Sequence, residues 1–345
     1  MFAVGLDVDA LVSIEYGNKF KSIRLFAGTS IEVRSTWSLF KPNLVGIILT
    51  QEESAGNYEM GDSLKWALCT VLKSPKKFLS EHRPNHRQPS TSAEMGSYLA
   101  GLIEGGGCFS GKRLEIVLHF KDIDLAYRIK KWIGYGSVYK IKDKNAVKYC
   151  LTKKEGLKKV LFLTNSFWVG PYKLQQIQKH GLDQWTGLIL KEPCGVVQPN
   201  SFWTAGFLDT DGCLNVYMGK TLTHVMGKRP QIQVRAKQKE SFLPECLKAC
   251  WGGSLSFTKI DFCTTWSLAA VQLNKKGLFD WFLSLDHYPL QSSNKYTQYV
   301  LLRKAFLLMQ YKQHLIPEGL AKIEKLHKQI SLFYPDLKKR SVHPS

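Results

Sequence analysis

The sequence predicts an α+β protein whose main body is two pseudo-symmetric half-domains packed through a pair of short helices. Three observations point there. The stretch Tyr98–Phe109, YLAGLIEGGGCF, is echoed at Trp203–Leu214, WTAGFLDTDGCL. After each copy the same order of elements follows: strands of period-two alternation, an amphipathic helix, two more strands and further helices. The chain also carries 48 basic against 28 acidic residues, a net charge of +20. An excess of that size fits a polyanionic partner, most simply nucleic acid, with an anionic membrane surface as the competing reading.

Each echoed stretch reads as a helix with an Ala-Gly pair near its start and an acidic, glycine-rich end. Small residues let two helix backbones approach, so Gly101 and Gly206 are the expected contacts. The terminal glycine stops each helix. An acid just before that stop is presented at the bottom of the pair, where the half-domains join. Neighbouring carboxylates there suit divalent metals that activate water for phosphodiester cleavage.

The two stretches resemble the LAGLIDADG motifs of intron-encoded homing endonucleases and maturases, in the single-chain, two-motif form. The resemblance covers roughly Gly96 to Leu315. It implies two half-domains of mixed helix and antiparallel sheet that form a DNA-binding saddle, joined through the motif helices. It also implies a monomer that hydrolyses double-stranded DNA with Mg2+ to start transfer of its host intron. By the same resemblance the eighth motif position carries the metal-binding acid. That position is Asp211 in the second copy and Gly106 in the first. Glu104 lies two positions earlier, about 200° round a helix, and replaces the missing acid only if the helix end unwinds. The chemistry is then full, reduced to one strand, or absent. The alternative readings are an RNA maturase acting on its host intron RNA and a DNA-binding relic.

Further site residues follow from the resemblance. Gln238 matches the strand glutamine that holds a water beside the metal, where the first half has Phe120. Lys173 and Lys295, in the matching runs Lys173-Leu174-Gln175-Gln176 and Lys295-Tyr296-Thr297-Gln298, match the basic residue near the scissile phosphate. The candidate DNA face is the set of alternating polar strand positions Glu115, His119, Tyr139, Lys140, Lys142, Lys148, Arg229, Gln231, Gln233, Arg235 and Lys237. Arg and Gln read base edges in the major groove, whereas Lys mainly contacts phosphate.

The expected divisions are a poorly patterned extension and linker over 1–90, half-domains over 91–185 and 201–335, a connection over 186–200, and a basic tail over 336–345. Within the extension, Leu6–Ile14 and Val45–Thr50 read as strands and Ser63–Leu72 as a helix. Glu81–Glu94, rich in Pro, Ser, His and Arg, reads as a solvated linker. Residues 299–333 read as two helices with a break at Pro317-Glu318-Gly319. No apolar run approaches about 18 residues, so no membrane span is expected. The eight cysteines include no CxxC pair and read as reduced core thiols, which suits an intracellular setting. No secretory or transit segment is evident, which fits translation inside an organelle, a mitochondrion ahead of a chloroplast.

Overall fold

The computed structural model describes residues 78–333, apart from 83–84, 222–226 and 271–275, together with five strands within the first 48 residues. The chain divides into two compact units, Met1–Ser74 and Pro75–Ser345. The first holds β1 (Phe2–Val4), β2 (Ala10–Glu15), β3 (Phe20–Leu25), β4 (Ile31–Ser35) and β5 (Val45–Ile48). They form an antiparallel β2-β3 ribbon and a three-stranded sheet of order β1-β4-β5. Strands β2 and β5 overlap the stretches Leu6–Ile14 and Val45–Thr50 expected as strands, while the sequence reading did not include β1, β3 and β4. Ile31-Glu32-Val33 shows the alternation that reading passed over. The helix expected at Ser63–Leu72 and the tail 336–345 lie outside the described residues.

The second unit carries the motifs. Helix α1 (Ser92–Gly106) starts where Thr91 Oγ1 accepts the Glu94 amide at 3.1 Å and the Glu94 carboxylate accepts the Ser90 amide at 2.9 Å. These bonds occupy donors that a helix start leaves free. Beyond it lie β6 (Gly107–Phe109), β7 (Leu114–His119), α2 (Ile123–Ile133), β8 (Ser137–Lys140) and β9 (Ala146–Leu151). Helix α2 buries Leu125, Ala126, Ile129 and Ile133 and ends at Gly134, whose φ of 85° suits glycine. Then come α3 (Lys154–Thr164), α4 (Pro171–Lys179) and the short α5 (Leu182–Thr186).

The second half repeats the plan with α6 (Trp203–Asp211), β10 (Gly212–Lys220), β11 (Lys228–Gln238), α7 (Phe242–Trp251), β12 (Ser254–Thr258), β13 (Cys263–Ala270) and α8 (Lys276–His287). Helices α9 (Ser293–Gln310) and α10 (Pro317–Ser331) follow, with Pro317 at the first turn of α10, where its missing N–H costs nothing. The sheets are antiparallel and equivalent in order, β6-β7-β9-β8 and β10-β11-β13-β12. One face of each is buried: Leu114, Ile116 and Leu118 alternate inward on β7, as do Ile232, Val234 and Ala236 on β11. Alternation leaves the opposite face polar and open.

The stretch expected to be a solvated linker is instead a strap on the second half. Leu79 is buried, and its N–H donates to Gln310 Oε1 at 2.8 Å. Arg303, paired with Asp286 at 2.9 Å, also donates to the Ser80 carbonyl at 2.8 Å. His86 Nε2 lies 2.8 Å from the Leu290 carbonyl. The Arg87 guanidinium sits over the Phe202 and Tyr288 rings, 4.7 and 5.1 Å from their centroids. Composition reads as a linker here because the strap is held mainly through its backbone carbonyls and one arginine, which leave no hydrophobic pattern.

Candidate active site between the paired helices

Helices α1 and α6 touch backbone to backbone. A Cβ on Gly101 would lie 2.0 Å from the Trp203 carbonyl oxygen, and one on Gly206 would lie 2.1 Å from that of Tyr98. Both positions therefore require glycine. The two helices end side by side, each on a glycine that opens into the first strand of its sheet.

Glu104 does not take the place of the missing acid. Helix α1 runs unbroken through Gly106, so its end does not unwind. The Glu104 carboxylate is buried and turned to three donors: Gly170 N at 2.6 Å, Val169 N at 3.1 Å and Trp203 Nε1 at 2.7 Å. Gly170 precedes α4, the helix that carries Lys173. Asp209 does the same in the second half. Its Oδ2 accepts from the Tyr98 hydroxyl at 2.7 Å, Gln291 N at 2.8 Å and Ser292 N at 3.2 Å, and Ser292 caps α9, which carries Lys295. These acids anchor the lysine-bearing helices to the motif helices. Burial pushes each up to about 7, against the donors that lower it.

Each lysine closes a loop back onto its own motif. Lys173 Nζ donates to the Gly107 carbonyl at 2.6 Å, and Lys295 Nζ donates to the Gly212 carbonyl. Burial lowers the pKa of both ammonium groups, opposed by nearby acidic groups that include Asp211. Asp211 is partly exposed at the bottom of α6. Its Oδ2 accepts from Gln238 Nε2, which also lies 3.4 Å from the Gly105 carbonyl oxygen of the other motif. Burial raises the Asp211 carboxyl to about 6, while Gln238, Lys295 and Lys173 oppose the rise. A cleft of about 400 Å³, lined by Glu104, Lys173, Gln176, Gln238 and Glu240, opens beside it.

Asp211, the Gly105 carbonyl and the Gln238 amide thus converge from both halves. Among the described residues no cluster of three His, Cys, Asp or Glu could hold a metal. One oxygen from each half, Asp211 Oδ2 and the Gly105 carbonyl, faces the Gln238 amide nitrogen, and oxygens are the ligand type a hard divalent cation takes alongside water and phosphate. On the mirror side Gly106 offers no carboxylate, and Phe120 stands where Gln238 stands. The Phe120 ring lies 5.1 Å from Lys140 Nζ.

On the open face of the second sheet, Gln231, Gln233, Arg235 and Lys237 alternate with the buried residues of β11, and Arg229 is exposed. They form a chain: Arg235 Nη2 donates to Gln233 Oε1 at 2.6 Å, and Gln233 Nε2 to Gln231 Oε1 at 3.3 Å. Lys237 pairs with Asp261 at 2.5 Å. Registration adds Asn215 opposite Gln233, Tyr217 opposite Gln231, and Thr265 and Ser267 opposite Lys237 and Arg235. Sequence reasoning missed these four, because it weighted charge; the alternation of β10 and β13 was the available signal.

In the first sheet Glu115 and His119 share the open face of β7, with Lys148 across from Val117 and Tyr139 across from Lys148. Lys148 is paired with Glu115 at 3.1 Å. Lys140 does not belong to this set. It stands opposite the buried Val147 and caps Phe120, since adjacent strand residues point to opposite faces. Lys142 lies past the end of β8, in the turn to β9.

Two motif helices in glycine contact, each leading into its own antiparallel sheet with one face open, define a two-motif, pseudo-symmetric class of α+β fold. A family model described as LAGLIDADG endonuclease matches residues 204–306. The chain is 32% identical to an uncharacterized cox1 intron-2 37.2 kDa protein of Schizosaccharomyces pombe, over 88% of this chain and 95% of that one. It is 28% identical to the intron-encoded RNA maturase bI4 of Saccharomyces cerevisiae, over 63% of this chain and 33% of that longer protein. The solved structure of the LAGLIDADG meganuclease I-AabMI bound to uncleaved DNA shares the fold, with a TM-score of 0.52 and 21% identity over 68% of this chain and 98% of that one. The chain belongs to the LAGLIDADG endonuclease family.

Proposed function

We propose that the chain is a monomeric, intron-encoded, site-specific DNA endonuclease that hydrolyses phosphodiesters with Mg2+ held at Asp211. The observation that carries this reading is the convergence of Asp211, Gln238 and the Gly105 carbonyl at the foot of the paired helices, between two open polar sheet faces. One chain supplies both motif helices, so no second copy is needed to complete the pair. The net charge of +20 supports binding to duplex phosphates, and Gln231, Gln233 and Arg235 are placed to read base edges.

Asp211 and the Gly105 carbonyl would hold the cation, which when bound supplies an activated water and neutralises charge on the leaving oxygen. The Gln238 amide, already bonded to Asp211, would orient an attacking water. Lys173 and Lys295, fixed by the glycine carbonyls at the ends of the motifs, offset negative charge developing at the phosphate. Glu104 and Asp209 keep both lysine helices in register. Intron products among the relatives, one from cox1, support an organellar setting, a mitochondrion ahead of a chloroplast.

The test is a supercoiled plasmid carrying the joined-exon sequence, incubated with protein and Mg2+. Strand breakage that Asp211→Asn abolishes supports the proposal. An intact plasmid together with tight binding of the host intron RNA would instead support a maturase, a reading favoured by the loss of the first acid and by the similarity to bI4.

A further inference from the structure

The first motif lacks its acid, and the structure shows what occupies the space. A Cβ on Gly106 would lie 2.7 Å from Thr210 Cβ and 2.8 Å from its Cγ2. A Cβ on Gly105 would lie 2.2 Å from Thr210 Oγ1. Thr210 cannot swing aside freely. Its hydroxyl donates to the Phe207 carbonyl at 3.0 Å, and Thr is stiff at χ1 because two heavy atoms branch from Cβ. Phe207 is in turn buried and stacked on Trp203, with ring centroids 5.1 Å apart at an interplanar angle of 11°. Gly105 and Gly106 therefore form a seat for Thr210, and a side chain at 106 fits only if Thr210 or the helix pair shifts.

We infer that Thr210 sterically closes the mirror centre, so that chemistry is confined to the single centre at Asp211 and Gln238 and only one DNA strand is cut. The proposal rests on the nuclease reading for its outcome, but its structural core does not. Across this helix pair Thr210, the residue before Asp211, faces Gly106. The absence of an acid at 106 and the presence of threonine at 210 are thus one feature. Phe120 in the glutamine position of the same side, half-exposed and covered by Lys140, is consistent with a centre that handles no water.

Two measurements test it. The first is a thermal-melt cycle without DNA or metal, using Gly106→Ala, Thr210→Gly and the double variant. Gly106→Ala in the parent chain should lower Tm by roughly 4–8 °C, as overpacking does. In the Thr210→Gly background the same substitution should leave Tm unchanged or raise it. Equal losses in both backgrounds would overturn the closure. The second uses a target duplex labelled on each strand in turn, with Mg2+. Cutting of one strand at least about 100-fold faster than the other supports the single centre. Equal rates overturn it. A chain that cuts neither strand overturns the nuclease reading and the strand claim with it, while the melts still decide whether Thr210 closes the site.

Discussion

Gly206→Ala is the perturbation for which two physical rules give opposite signs. In an ordinary helix interior, replacing Gly by Ala stabilises by about 1 kcal/mol. Here the new Cβ would stand 2.1 Å from the Tyr98 carbonyl oxygen and 2.8 Å from the Leu102 amide nitrogen. Both are backbone atoms on α1, so no side chain can yield and the helices must separate by about 1 Å in a close-packed interior. Overpacking of that kind costs about 3 kcal/mol or more. The net loss is about 2 kcal/mol, a fall in Tm of roughly 4–8 °C for a unit of this size. Thermal and urea melts of the purified chain measure it. Separation of the helices also draws Asp211 away from Gly105, so strand cleavage should fall with stability. An unchanged or raised Tm would refute backbone contact between the motif helices, and with it the geometry of the candidate site.

Other outcomes follow from the same contacts. Glu104 has its folded-state pKa raised from 4.5 to about 7, so its stabilising contribution is full below about 4.5 and is lost as pH rises through 7. Melts from pH 5 to 8 should therefore show a decline that is smaller in Glu104→Gln, and identical slopes would refute that assignment. Asp286→Ala leaves Arg303 buried and unpaired on that side, with side-chain exposure of only 4%, and should cost about 3–5 kcal/mol in urea denaturation. Arg235→Ala should weaken target binding by about 1–3 kcal/mol and relax selectivity at one or two base pairs in a substitution series. A uniform loss across sequences would mark Arg235 as a phosphate contact instead.

The legibility of the site in the sequence followed the kind of contact involved. Repetition exposed the helix pair, because Gly101 and Gly206 answer one steric need twice. Asp211 and Gln238 came into view only through the resemblance to the family motif, since the first copy holds Gly106 and Phe120 at the matching positions. The role of Glu104 was not, since only the fold shows Val169, Gly170 and Trp203 turned towards it. The clue was that acids stand at 104 and 209 in both copies while an acid at the later position stands only once, which marks the shared pair as structural. Lys140 was misplaced because charge outweighed alternation. The contacts of 78–82 and 85–90 were unreadable because they join main-chain carbonyls to partners two hundred residues away, for example the Ser80 carbonyl accepting from Arg303.

The central claim is that a single cation sits between the halves on Asp211 and Gly105. Diffraction from crystals of the chain with uncut target duplex and Mn2+, using the anomalous signal of manganese, tests it most directly. The account predicts one peak, between the Asp211 carboxylate and the Gly105 carbonyl and beside the Gln238 amide. A second peak of equal height beside Gly106 and Phe120, or no peak at Asp211, would contradict it.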